Sequence, residues 1–221
     1  MKNIAQNDFE KKNAADNKIV CGIDEVGRGC LAGPLVTVAL VLKSPRKNSL
    51  IKDSKLLDEK GLEKAYGWLV KNSIFSVSII DAAMIDRYNI YQATQLSMVR
   101  AYYQLCAQLP AQRPAVALVD AIKLSLPCEV ISIVRGEMAC VSIAGASIVA
   151  KVTRDRIMKR LSSVFPQYGF QSHKGYGTKL HYQALMLYGR SPVHRMTFLK
   201  KFEQENVFRQ THQSTIFESV L

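Results

Sequence analysis

The chain has 221 residues, the size of one ordinary domain, and its 48% hydrophobic and 22% charged content exclude a disordered or fibrous protein. Thirty Lys and Arg against eighteen Asp and Glu give a formal net charge of +12, which favours a polyanionic partner. Residues 151–201 hold eleven of the basic residues (Lys151, Arg154, Arg156, Lys159, Arg160, Lys174, Lys179, Arg190, Arg195, Lys200 and Lys201) and one acid, Asp155, so this segment reads as a nucleic-acid-binding face.

Residues 1–17 are polar, lack the apolar stretch of a secretory signal, and read as a flexible leader. Residues 18–24 (KIVCGID) and 35–42 (LVTVALVL) are β-branched runs joined by a glycine-rich connection, and residues 73–80 alternate in the same manner; all three are predicted strands. Between them, residues 52–71 have helical composition around Leu56, Leu62, Ala65 and Leu69. The spacing of Ala93, Leu96, Val99, Tyr103 and Ala107 predicts a helix over 91–109, closed by Pro110. Two further apolar strands follow, 115–119 ending at Asp120 and 130–134 running into Arg135-Gly136-Glu137. Residues 142–165 form a helix that is apolar or small all round in its first half and amphipathic in its second, stopped by Pro166. Residues 169–178 read as a loop and 180–187 as a short helix ended by Gly189. This order describes an α/β domain around a mixed sheet.

Five cysteines, an odd number without a C-x-x-C, point away from a disulfide framework or a structural zinc and toward reduced thiols in a cytoplasmic protein. The longest apolar run, residues 30–42, is too short to cross a bilayer and is broken by Gly33 and Pro34.

Carboxylates stand where apolar strands end. Asp24 ends the first, Asp120 the fourth, and Glu137 follows the fifth. A buried carboxylate needs a partner or a metal, and ligands of α/β sheets gather at the carboxyl ends of strands. If the first and fourth strands are neighbours, Asp24 and Asp120 can share a hard cation such as Mg²⁺ or Mn²⁺. Glu25 faces the other way along a regular strand and joins the site only if the strand breaks, which Gly27 and Gly29 allow. Gly27-Arg28-Gly29 can bring main-chain N–H groups against a sugar or phosphate, and residues 173–177 (HKGYG) supply cations and a ring that can stack. His181 and His194 are too far apart in sequence for a helical zinc pair, and neither a Ser–His–Asp nor a Walker-type signature is present.

The series from Gly22 to Pro34 (GIDEVGRGCLAGP) resembles the opening signature of the ribonuclease HII, or type 2 RNase H, family. The likeness continues through Asp53-Ser54-Lys55, Tyr88-Asn89-Ile90, Val119-Asp120, residues 142–152 (SIAGASIVAKV), 165–170 (FPQYGF), 173–178 and 194–198 (HRMTF). It implies an RNase H-like fold, a five-stranded mixed sheet flanked by helices with a C-terminal helical segment. On that reading residues 18–198 are the catalytic domain and 199–221 a tail.

The resemblance also implies an endoribonuclease that hydrolyses the RNA strand of RNA–DNA hybrids. It would nick duplex DNA 5′ of embedded ribonucleotides, leaving 5′-phosphate and 3′-hydroxyl ends. Carried over by motif, two cations (Mn²⁺ or Mg²⁺) fall to Asp24, Glu25, Asp120 and Glu137. Glu137 lies in Arg135-Gly136-Glu137, where the family commonly has a KGD-like tripeptide. Gly27, Arg28 and Gly29 would read the ribose 2′-hydroxyl, Tyr176 would stack on the adjoining deoxyribose, and Lys55 and Lys174 would contact substrate. A monomer is expected. A non-catalytic hybrid-binding module and a resolvase- or transposase-like phosphotransferase are the alternatives; clustered acids argue against the first, and Gly27–Gly29 with Tyr176 against the second.

Overall fold

In the computed structural model, which describes residues 8–16, 18–44, 48–51, 54–109, 112–202 and 204, the five predicted strands share one sheet. They are β1 (Val20–Val26), β2 (Leu35–Leu42), β3 (Ser73–Ile80), β4 (Val116–Asp120) and β5 (Glu129–Ile133), in the order β3-β2-β1-β4-β5. β1–β2 and β2–β3 are antiparallel, whereas β1–β4 and β4–β5 are parallel. The sheet is therefore mixed, with β1 at its centre and flanked by β4, as a site shared by Asp24 and Asp120 requires.

Period-two alternation sorts the strand residues onto two helical layers. Val36, Val38 and Leu40 face a layer made by α2 (Glu59–Asn72) and α5 (Val141–Val164), packing on Leu62, Leu69, Ala144 and Ile148. Cys21, Ile23 and Ala39 face α3 (Ala82–Gln108) through Met98, Ala101 and Tyr102. α5 lies almost on the backbone of β1: a Cβ at Gly22 would stand 2.2 Å from the Ser142 carbonyl carbon. Only glycine permits that approach, which leaves the first half of α5 buried all round.

Some elements differ from the sequence expectation, each for a local reason. The helix expected over 52–71 begins at Glu59, because Asp58 caps it by accepting from Gly61 N–H at 2.8 Å; a 3-10 turn, Ser54–Leu56, precedes it. Residues 52 and 53 lie outside the described residues. α3 starts at Ala82, capped by Asp81, and breaks at Asn89 (φ 62), whose side chain caps a second segment at the expected Tyr91. Within the expected loop over 169–178, Phe170–His173 is a one-turn helix, α6. Inside the expected leader, Asp8–Ala15 is helical (α1), and the buried Glu10 carboxylate accepts from Ser142 N–H at 2.9 Å and from its Oγ at 2.6 Å. That places an anion at the N-terminus of α5, where Cys140 offers no side-chain cap. The described cysteines are all free thiols, as expected. No helix among the described residues is long and apolar enough to cross a membrane.

A third apolar cluster joins Leu31, Ala32 and Met158 to Tyr168, Phe170 and α7 (Lys179–Tyr188). It includes Leu199, fully buried in helical residues 196–202, so the boundary expected at 199 falls inside a helix. The same region buries His173, His181 and His194. Burial pushes the His181 imidazole below its usual range, and burial with repulsion from His181 takes His194 down to about 4. A ring whose folded-state pKa lies below its unfolded value of 6.5 binds fewer protons when folded. Its stabilising contribution is complete above pH 6.5 and is lost as pH falls toward about 4. In urea denaturation across that window, His194→Gln is expected to lose stability more gently than the wild type. Parallel pH profiles would contradict the neutral, buried state of His194.

Candidate active site

β1 carries Asp24 to the carboxyl end of the sheet on the α5 face, and β4 carries Asp120 to the same end. Their last registered pair is Ile23–Val119, so Asp24 and Asp120 follow side by side. Glu137 comes from the first turn of α4 (Gly136–Ala139), immediately before α5. The Gly136 N–H donates to Asp120 Oδ1 at 2.8 Å, tying that carboxylate to the turn that bears Glu137. One oxygen each from Asp24, Asp120 and Glu137 lies within 4.8 Å of the others.

Glu25 reaches the cleft differently. β1 remains regular through Val26, so the strand does not break at Glu25, which stays on the face opposite Asp24. Past the end of the β1–β4 pairing it lines the same cleft. Arg28 Nη1 donates to its Oε1 at 3.3 Å, while its Oε2 is buried without a hydrogen-bond partner.

The acids are electrostatically crowded. Burial, then repulsion from Glu25 and Asp120, holds the Asp24 carboxyl well above the usual carboxylate range. Burial likewise pushes Glu25 up to about 7, with Arg28 opposing and Asp120 adding to the rise. Hard, converging oxygen donors and an orphaned buried carboxylate oxygen fit a divalent cation of the Mg²⁺ or Mn²⁺ kind.

The cleft, about 320 Å³, is also lined by Gly27, Arg28, Gly29, Lys55 and Tyr176. Lys55 Nζ sits 2.6 Å from Glu137 Oε1, and Tyr176 is 44% exposed at the rim. Lys174 stands apart. Its backbone is left-handed (φ 51), its ammonium donates to the Gln171 carbonyl at 2.6 Å, and its side chain lines a neighbouring groove with Glu59, Glu63 and Arg156. Asp53 lies outside the described residues.

Two cations of the basic segment are interior groups. Arg154 and Arg195 are both 0% exposed, so these two of its eleven cations belong to no binding face. Arg154 donates to the carbonyls of Pro34, Lys174 and Ala32, and Arg195 to those of Gly33, Arg28 and Gly27. Three residues that the sequence reading gave no role at the carboxylates line the cleft: Ser54, Ser147 and Lys151. Ser147 hydrogen-bonds Asp24 and stands 3.0 Å from Ser54, and Lys151 pairs with Asp155 at 2.9 Å. For Ser147 and Lys151 the signal was their four-residue step, a polar line that begins in the apolar first half of the helix.

The family model for ribonuclease HII matches residues 21–201. The ribonuclease HII of Bacillus pumilus is 43% identical over 180 residues, covering 81% of this chain and 69% of that protein. That of Orientia tsutsugamushi is 44% identical over 190 residues, covering 86% and 89%. Among solved structures, ribonuclease H2 from Pyrococcus horikoshii superposes with a TM-score of 0.69 at 25% identity, over 85% of this chain and 98% of that one. Bst-RNase HIII in complex with Mn²⁺ shares the fold (TM-score 0.64, 17% identity, 81% and 67% coverage). With its sheet order, its carboxylates at strand ends and these relatives, the chain belongs to the ribonuclease HII family.

Proposed function

We propose that the carboxylate cleft is the active centre of this ribonuclease H, and that it cuts both RNA–DNA hybrids and duplex DNA 5′ of a single embedded ribonucleotide. The observation that carries this reading is the convergence of Asp24, Asp120 and Glu137 within 4.8 Å, beside the Gly27–Gly29 loop and Tyr176. Asp24, Glu25, Asp120 and Glu137 would hold two divalent cations, Mn²⁺ or Mg²⁺. Bound there, such ions supply an activated water and stabilise charge on the scissile phosphate and the leaving oxygen. In the balanced reaction a water oxygen bonds to phosphorus, the bond to the 3′-oxygen breaks, and that oxygen leaves protonated.

The chain's own groups orient the substrate. The carbonyls of Gly27 and Arg28 accept from Arg195 at 2.7 Å each. Because a trans peptide points its N–H opposite to its C=O, the Arg28 and Gly29 amides are aimed away from that buried guanidinium. Two parallel donors of this kind suit a ribose 2′-hydroxyl, the group that separates RNA from DNA. The half-exposed Tyr176 at the rim suits stacking on the next deoxyribose. Lys55, at the cleft mouth with a side chain 76% exposed, suits a backbone phosphate. A cytoplasmic protein acting on replicated or damaged DNA is consistent with these roles.

Asp24→Asn and Asp120→Asn are expected to abolish cleavage of a single-ribonucleotide duplex while retaining hybrid binding. Mn²⁺ should raise the melting temperature of the wild type and not of these variants, because a ligand stabilises only the state that binds it. Glu137→Gln should lower kcat at least about tenfold, equivalent to about 1.4 kcal/mol, and Glu137→Asp far less. Metal-dependent nicking at the wild-type rate by either Asn variant would refute the assignment.

Tyr176→Ala is expected to impair cutting at a single ribonucleotide more than cutting within a long hybrid, since only the former presents an RNA–DNA junction on the cut strand. Equal losses on both substrates would make Tyr176 a general binding residue.

A further inference from the structure

His181 and His194, dismissed by their sequence spacing as a zinc pair, meet in space. Their Nε2 atoms are 3.0 Å apart, inside a region where both rings are nearly inaccessible to solvent. The partners of the outer nitrogens dictate where the protons sit. His194 Nδ1 accepts from the Ser191 N–H at 2.9 Å, so its ring proton is on Nε2. That proton is donated to His181 Nε2, which leaves the His181 proton on Nδ1, 2.9 Å from the Tyr176 carbonyl oxygen. A one-way chain of hydrogen bonds thus runs from the Ser191 amide through both rings to Tyr176.

His173 completes the arrangement from the other side. Its Nε2 donates to the Tyr168 carbonyl at 2.7 Å, and its Nδ1 accepts the Gly175 N–H at 3.2 Å. Its ring stacks on that of His181, with centroids 4.4 Å apart. Imidazoles therefore hold the amide of Gly175 and the carbonyl of Tyr176. The Gly175 carbonyl, in turn, accepts from Leu31 N–H at 2.8 Å, two residues beyond Gly29.

An apolar side chain would fill the place of His194 without the cost of burying two polar nitrogens. What the imidazole adds is direction: it keeps His181 in the tautomer that donates to Tyr176. Tyr176 is also the side chain of this loop that enters the cleft, Lys174 being turned to the neighbouring groove. We infer that His181 and His194 are positioning residues for Tyr176, fixing its ring opposite the Gly27–Gly29 loop and thereby setting the preference for an embedded ribonucleotide. The inference rests on the reading of Tyr176 given above.

The test measures kcat and KM on a single-ribonucleotide duplex and on a long hybrid for His194→Leu, His194→Gln, Tyr176→Ala and the double variant Tyr176→Ala/His194→Leu. His194→Leu is expected to lose about tenfold or more in kcat/KM on the single-ribonucleotide duplex and less than about threefold on the hybrid. His194→Gln, whose amide can still donate to His181, should stay within about threefold of the wild type on both. In the Tyr176→Ala background, His194→Leu should add nothing on the single-ribonucleotide duplex. Should His194→Leu fail to fold, His194→Phe takes its place, filling the ring volume without nitrogens. Parallel losses on both substrates, or a further loss in the Tyr176→Ala background, would overturn the inference. If Tyr176→Ala changes the substrate ratio and the His194 variant does not, the inference alone falls. An unchanged ratio in Tyr176→Ala removes the reading of Tyr176 and this inference with it.

Discussion

Two guanidinium groups sealed from solvent hold together the loops that line the cleft. Removing such a cation from water costs several kcal/mol unless its donors are satisfied. Here Arg195 donates to the carbonyls of Gly27, Arg28 and Gly33, and Arg154 to those of Ala32, Pro34 and Lys174. The planar, forked donor set of arginine can satisfy several fixed carbonyls at once, which the compact ammonium of lysine cannot. Burial brings the Arg195 pKa down to about 10, so the group stays charged at neutral pH. The loop between β1 and β2 is thus fixed from beneath, and its outward amides are aligned as a consequence.

The same arrangement joins parts distant in sequence. Arg154 belongs to α5, the helix that also brings Ser147 to Asp24 and Lys151 to the cleft. Through the Lys174 carbonyl it grips the Tyr176 loop, and through Ala32 and Pro34 the Gly27–Pro34 segment. Asp24, Glu25 and Asp120, by contrast, are placed by the sheet, and burial with mutual repulsion raises the Asp24 and Glu25 carboxyls above their usual range.

Much of this was legible in the residues. Apolar strands that end in Asp24 and Asp120 pointed to a site because several buried strands finishing in carboxylates is unusual, whereas the pairing of the first and fourth strands, on which the shared site depends, is settled by the sheet and not by the residues. The opposite facing of Glu25 was legible too, from strand alternation, though its continued place in the cleft was not, since that depends on where the β1–β4 pairing stops. Charge counting misread Arg154 and Arg195 because their partners are main-chain carbonyls, which leave no trace in a sequence. His181 and His194 meet only because residues 191–195 fold back against α7, with Ala32 bridged to His194. Lys174, which the resemblance makes a substrate contact, donates to the Gln171 carbonyl and lines the next groove, a placement its sequence neighbours do not reveal.

Buried guanidiniums hold the loop that lines the cleft. Hydrogen–deuterium exchange at the amides of Leu31, Ala32 and Gly33 in Arg195→Lys tests this most directly, since these amides are bonded to Gly175 and Val193 in the native protein. Replacing the fork by a single ammonium should speed their exchange by about tenfold or more relative to amides of the central strands. Unchanged protection at those three amides would contradict the account.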